Sequence, residues 1–125
     1  MAASSPQVVV VGAGMAGLAA IKELGRSSAA VTLVDQHNYT TFPPLLFEAA
    51  AALISPEDVV TPIRALLSHD EQVRFRMGRV GGVDWDRGRV LLDGGEQLSF
   101  DYLILAPGVA QRSERWPARH GTRYP

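Results

Sequence analysis

Three glycines and one aspartate carry the most specific chemistry in this sequence. Gly12-Ala13-Gly14-Met15-Ala16-Gly17 sets glycines at the first, third and sixth positions of a turn, and Asp35 follows 18 residues after Gly17. Between a strand and a helix, that spacing suits the pyrophosphate of an adenine dinucleotide. Gly12 permits the tight turn, Gly14 leaves the backbone open to a phosphate, and Gly17 lets helix and strand pack closely. The helix N-terminus beyond them offers free N–H groups and partial positive charge. A carboxylate at Asp35 can accept hydrogen bonds from the adenosine ribose and would repel a 2′-phosphate. The residues themselves thus favour FAD or NAD over NADP. Ala13, Ala16 and Gln36 flank these positions and are counted with them as cofactor-binding. The alternative is a structural glycine turn with a chance acidic residue after it.

The elements around the turn supply the required context. Val8-Val9-Val10-Val11 reads as a buried parallel strand, Met15 to about Leu24 as an apolar helix, and Val31-Thr32-Leu33-Val34 as a second strand ending on Asp35. Leu18, Ile21 and Leu24 form the helix's packing face, and Gly25 is placed to stop it. Because the second strand is apolar on both faces, it suits the interior of a parallel sheet covered by helices.

The composition narrows the function classes. At 125 residues the chain holds one domain, with 46% hydrophobic and 20% charged residues, an ordinary globular balance. A net charge of -1 gives no reason to expect a nucleic-acid partner or an electrostatic membrane patch. The chain has no cysteine, which excludes disulfides, thiolate metal sites and cysteine redox pairs within it. His37, His69 and His120 are scattered and read as surface or loop residues, so no metal site is expected. No apolar run approaches the roughly 20 residues that span a bilayer. Met1-Ala2-Ala3-Ser4-Ser5-Pro6 lacks the regions of a secretory signal, so a cytoplasmic chain is the expectation.

Beyond Asp35 the simple alternation stops. Residues 1–6 read as a disordered lead-in, and Gln36 to Thr41 as a polar stretch without helical period. Phe42-Pro43-Pro44 reads as an extended turn, leading into a short helix to about Leu53. Ser55-Pro56-Glu57-Asp58 has the form of a helix start, with a break at Pro62 and helical spacing resuming over Ile63 to Leu67. Val73 to Met77 alternates as a half-buried strand with its arginines toward solvent. Val80–Trp85, Arg89–Leu92 and Gln97–Phe100 are separated by turn clusters and predict a small antiparallel meander. Asp101 to Ala106 reads as a buried strand ending in Pro107-Gly108. Residues 110–125 are arginine-rich and aperiodic, the composition of a poorly ordered tail and of a frameshifted or truncated end.

With these features assembled, residues 7 to about 109 resemble the N-terminal part of type II NADH dehydrogenases. These are flavin-dependent NADH:quinone oxidoreductases of the pyridine nucleotide-disulfide oxidoreductase-like superfamily. Residues 9–18 and 31–35 are shared with many flavoproteins. More specific are Asn38-Tyr39 with Phe42-Pro43-Pro44-Leu45-Leu46-Phe47-Glu48-Ala49-Ala50, and Asp101-Tyr102-Leu103-Ile104-Leu105-Ala106-Pro107-Gly108. The resemblance implies a Rossmann-like α/β FAD-binding domain over 7–109, incomplete, with a parallel sheet, helices and the meander. It implies FAD on the first glycine turn, with Val80 contacting the adenine through its backbone. Phe42, Pro44 and Leu45 would lie near the isoalloxazine, and Ala106, Pro107 and Gly108 near the pyrophosphate and ribityl chain.

The flavin carries the redox chemistry, so no catalytic side chain is assigned; Glu48 reads as a helix-surface residue. Pro107 departs from the family's usual threonine, removing a hydroxyl and a backbone donor. In the full-length family NADH is the co-substrate and quinone the acceptor, both bound by regions outside this segment. The family is peripheral on the cytoplasmic face of the membrane, also through a region absent here, so the segment alone is expected to be inactive. The rival readings are another FAD-dependent pyridine-nucleotide oxidoreductase, such as a sulfide:quinone or ferredoxin-type reductase, and a non-catalytic dinucleotide-binding module. The lack of cysteine argues against the sulfide and disulfide branches.

Overall fold

A computed structural model of the chain describes residues 5–109. The lead-in Met1 to Ser4, the tail from Ala110 onward and His120 lie outside the described residues. The chain forms a Rossmann-like α/β domain with a parallel main sheet and two smaller antiparallel sheets. β1 (Gln7–Val11), α1 (Met15–Leu24) and β2 (Ala30–Asp35) make the parallel strand–helix–strand unit that the glycine spacing requires. β3 (Tyr39–Thr41) leads through a 3-10 turn into α2 (Leu46–Ala50). A second 3-10 turn, β4 (Val60–Pro62) and α3 (Ile63–Leu66) follow, then β5 (Val73–Met77). β6 (Val80–Asp84), β7 (Arg89–Leu92) and β8 (Gln97–Ser99) form the meander, and β9 (Tyr102–Leu105) returns to the main sheet.

The main sheet has the order β5-β2-β1-β9, all parallel. Apolar residues on both faces of β1 and β2 give it two cores. On one face Val8, Val10, Val31 and Leu33 pack with Ile21 of α1 and Ile63 of α3. On the other, Val9 and Val34 pack with Val90 and Leu92 of β7. The strand reads in sequence as lying in a sheet covered by helices; helices cover the first face, and the meander covers the second. Its strands are short and alternate, so each presents one apolar row that a sheet face can bury. Arg87 fixes the first meander turn, donating from Nη1 to Asp84 Oδ2 and from its backbone N–H to Oδ1, both at 3.1 Å. The Arg87 side-chain hydrogen bond is the main reason the Asp84 carboxyl titrates below its ordinary value.

Other expectations are corrected in detail. The polar stretch before Phe42 contains β3, which pairs antiparallel with β4 in the register Thr40↔Thr61. The helix expected from Ser55 stops after one 3-10 turn, although Asp58 Oδ2 accepts the Ser55 N–H at 3.3 Å as a cap should. Val59, Val60 and Thr61 are β-branched, and the residue before Pro62 is held extended, so the chain enters a strand instead. The hairpin has a purpose in the core, since it delivers fully buried Ile63. β9 is an edge strand rather than a buried one, with Tyr102 and Leu105 exposed. Gly25 does end α1, but in right-handed geometry at φ -60, without the left-handed cap. Arg74 and Arg76 of β5 are exposed as expected, and Arg76 Nη2 reaches Glu96 Oε2 of the meander at 2.7 Å.

Close backbone approach explains two of the three motif glycines. A Cβ on Gly12 would overlap the carbonyl oxygen of Ala106, and Gly12 sits at φ +102, a left-handed conformation. A Cβ on Gly17 would overlap the carbonyl oxygen of Gly12. Gly14 differs, since a Cβ there would meet no protein atom within 4 Å.

Two stability predictions follow from this packing. Ile63→Ala should cost about 2–5 kcal/mol in urea unfolding, because it empties a filled site beneath α3; a loss below about 1 kcal/mol would show that α3 does not seal that face. Gly12→Ala and Gly17→Ala should each cost more than about 2 kcal/mol, whereas Gly14→Ala should cost less than about 1 kcal/mol. Equal losses at all three glycines would contradict the described crossing.

Candidate functional site

The site is built where the parallel strands end. Gly12 N–H donates to the Val34 carbonyl, Gly78 N–H to the Asp35 carbonyl, and Ala106 N–H to the Val11 carbonyl, each at 2.8 Å. These bonds carry the sheet ladder one residue beyond the strands and level their carboxyl ends. In open α/β sheets that edge is where ligands bind.

Asp35 stands at the end of β2 and holds the turn. Its Oδ2 accepts the Ala13 N–H at 2.7 Å, and its Oδ1 accepts the His37 N–H at 2.8 Å. His37 Nδ1 lies 3.7 Å from the same Oδ1. An ionised carboxylate has about four lone-pair sites, so two remain for a ligand. The Asp35 side chain is 20% exposed, enough to present those sites at the surface. On α1, Leu18 N–H is the first to bond inside the helix, to the Gly14 carbonyl at 2.9 Å. The N–H groups of Met15, Ala16 and Gly17 are therefore free of intrahelical acceptors. Gly14, at the N-cap, leaves open space before them.

An open cleft of about 220 Å³ joins these parts, floored by Val11, Gly12 and Val34 and walled by Asp35, Gln36, Gly78, Arg79, Val80 and Pro107. Of the residues singled out in the sequence, it gathers Gly12, Asp35, Gln36, Val80 and Pro107. Ala13, Gly14, Ala16 and Gly17 continue directly from Gly12 into the helix, and Ala106 touches Gly12 from β9's end. Gly108 follows at φ +69, exposed. Phe42, Pro44 and Leu45 do not line the cleft; they lie on the segment between β3 and α2, with Phe42 and Pro44 exposed and Leu45 half-buried. Glu48 is exposed on α2. The sequence reading missed Gly78 and Arg79. Only the sheet order reveals them, because it seats β5, and so the link after it, beside β2.

The residues present fit a dinucleotide: free N–H donors for phosphate, a carboxylate for ribose hydroxyls, and valine walls for a ring. A larger hollow of about 530 Å³ lies at the opposite end of the strands, against Gln7, Ala30 and Arg74. It offers neither the α1 N-terminus nor the level strand ends, so the smaller cleft is the better site. Among the described residues no helix is long and apolar enough to cross a membrane.

Comparison with known proteins adds the family. The sequence profile of the pyridine nucleotide-disulphide oxidoreductases matches residues 6–122. The chain is 32% identical over 108 residues to the type II NADH:quinone oxidoreductase NdhA of Mycobacterium tuberculosis, covering 84% of this chain and 23% of that protein. It is 35% identical over 117 residues to the type II NADH:quinone oxidoreductase of Staphylococcus epidermidis, covering 90% of this chain and 29% of that protein. The sulfide:quinone oxidoreductase of Aquifex aeolicus superposes with a TM-score of 0.76 at 27% identity, over 83% of this chain and 24% of that one. The chain thus spans about a quarter of the length of the curated relatives it matches. By profile and fold together, the chain belongs to the pyridine nucleotide-disulphide oxidoreductase family.

Proposed function

We propose that residues 7–109 form the FAD-binding part of an NADH:quinone oxidoreductase. One observation carries the reading: the glycine turn, the free helix N–H groups and the Asp35 carboxylate meet at the carboxyl ends of the central strands. The first two suit the pyrophosphate of an adenine dinucleotide and the third its ribose, and their order along the sheet edge matches the covalent order of the ligand. Similarity to type II NADH:quinone oxidoreductases supports FAD over NAD as the occupant of this turn.

In this reading the pyrophosphate lies against Gly12 to Gly17, where it accepts N–H groups at the start of α1. Asp35 holds the ribose with its two remaining lone-pair sites, while its bonds to Ala13 and His37 keep the carboxylate fixed. Its negative charge disfavours a 2′-phosphate. Val80 borders the adenine, and Ala106 to Gly108 border the far side of the pyrophosphate. Pro107 brings no N–H to that contact, so the phosphate depends more on the α1 end. FAD, when bound, supplies acceptance of a hydride from NADH and delivery of two electrons to a quinone. NADH binding, the quinone site and any membrane attachment are assigned to parts of the enzyme outside this segment.

Purified chain titrated with FAD should show saturable quenching of flavin fluorescence. Asp35→Asn should weaken that binding about tenfold, through loss of charge-assisted hydrogen bonds to the ribose. Absence of any FAD binding by the folded wild-type chain would overturn the reading.

A further inference from the structure

The link between β5 and β6 carries a cation whose position the local sequence does not explain. Arg79 lies on the cleft wall beside Gly78 and Val80. One residue of the meander approaches it twice: Asp93 N–H donates to the Arg79 carbonyl at 2.9 Å, and the Asp93 carboxylate lies near the guanidinium, Oδ2 standing 3.8 Å from Arg79 Nε. Residue 81 is glycine, and a Cβ there would crowd Asp93 Oδ1 in this rotamer. Gly81 is also where the β6–β7 register shifts, with Val80 opposite Leu92 and Gly82 opposite Leu91. Such bulges commonly re-aim a side chain beside a functional site. Here the bulge, the missing side chain and the Asp93 clasp converge on Arg79.

The sheet order says what Arg79 would meet. Along the carboxyl edge, β1 ends at the glycine turn, β2 at Asp35, and β5 at Gly78 and Arg79. Neighbouring strands are about 4.8 Å apart, so the three ends are spaced by roughly 10 Å in all. A ligand with phosphates at the first end and a ribose at the second carries its base to the third. We propose that Arg79 is a further ligand-binding residue, its guanidinium plane stacking on the purine ring while Asp93 holds it in place; this rests on the dinucleotide reading above. A planar, weakly hydrated guanidinium can lie flat against a π-face, a stacked geometry that a compact ammonium cannot adopt.

The test is calorimetric titration of the full 125-residue chain with ADP and with FAD, at low and high salt. Arg79→Ala should lower affinity for both ligands about tenfold. Arg79→Lys, which keeps the charge and loses the plane, should be nearly as weak, and the defect should persist at high salt. Asp93→Asn should give a smaller loss in the same direction. Arg79 is largely exposed, so circular dichroism and melting of the variants should match the wild type. Full rescue by lysine, or a defect that vanishes with salt, would mean a phosphate contact and would overturn the stacking assignment. Unchanged ADP affinity in Arg79→Ala would overturn it too. A wild-type chain that binds neither ADP nor FAD would instead bring down the functional reading, and this inference with it.

Discussion

The crossing of backbones at Gly12 is the constraint on which the site depends. The carbonyl of Ala106 at the end of β9 and the first turn of α1 both press against a residue that has no room for a side chain. That contact brings the β1–α1 turn and the end of β9, far apart in sequence, to one point on the sheet edge. Asp35 completes it by taking the Ala13 N–H, so the turn is fixed from the β2 side as well. A ligand arriving there meets a cradle already held by the fold, and little ordering is left for binding to supply.

The same edge orders the chemistry. β1, β2 and β5 end side by side, and each contributes a different kind of group: N–H donors, a carboxylate, and a cation beside an apolar wall. The two-faced core explains why the strands can hold this alignment. Helices α1 and α3 cover one side and the meander the other, so β1 and β2 are buried on both. The meander thereby does more than shield apolar surface. Through the β6 bulge and Asp93 it also shapes the third position of the cleft.

Much of this was legible in the sequence, and the reasons for success and failure are physical. The β1–α1–β2 unit announces itself because its signals are local: a valine run, a glycine spacing, a helical apolar face and a strand closing on Asp35. The meander was legible because its turns carry Asp and Gly clusters. The β3–β4 pairing was hidden, since Tyr39–Thr41 is short and polar and its partner lies some twenty residues away. What covers the second face is not legible, because a strand apolar on both sides says that it is covered without saying by what. β9 looks like a central strand in composition and becomes an edge only through the order of the sheet. Within the candidate site, spacing points to Asp35 and the glycines, whereas Arg79 has no motif and its position beside them follows from topology alone.

Amide chemical-shift mapping of the isotope-labelled chain during FAD titration tests the central claim most directly. The account predicts saturable shifts concentrated at Ala13 to Gly17, Asp35 to His37 and Gly78 to Val80. Shifts gathered instead around Ala30, Gln72 and Arg74, at the opposite end of the strands, would contradict it.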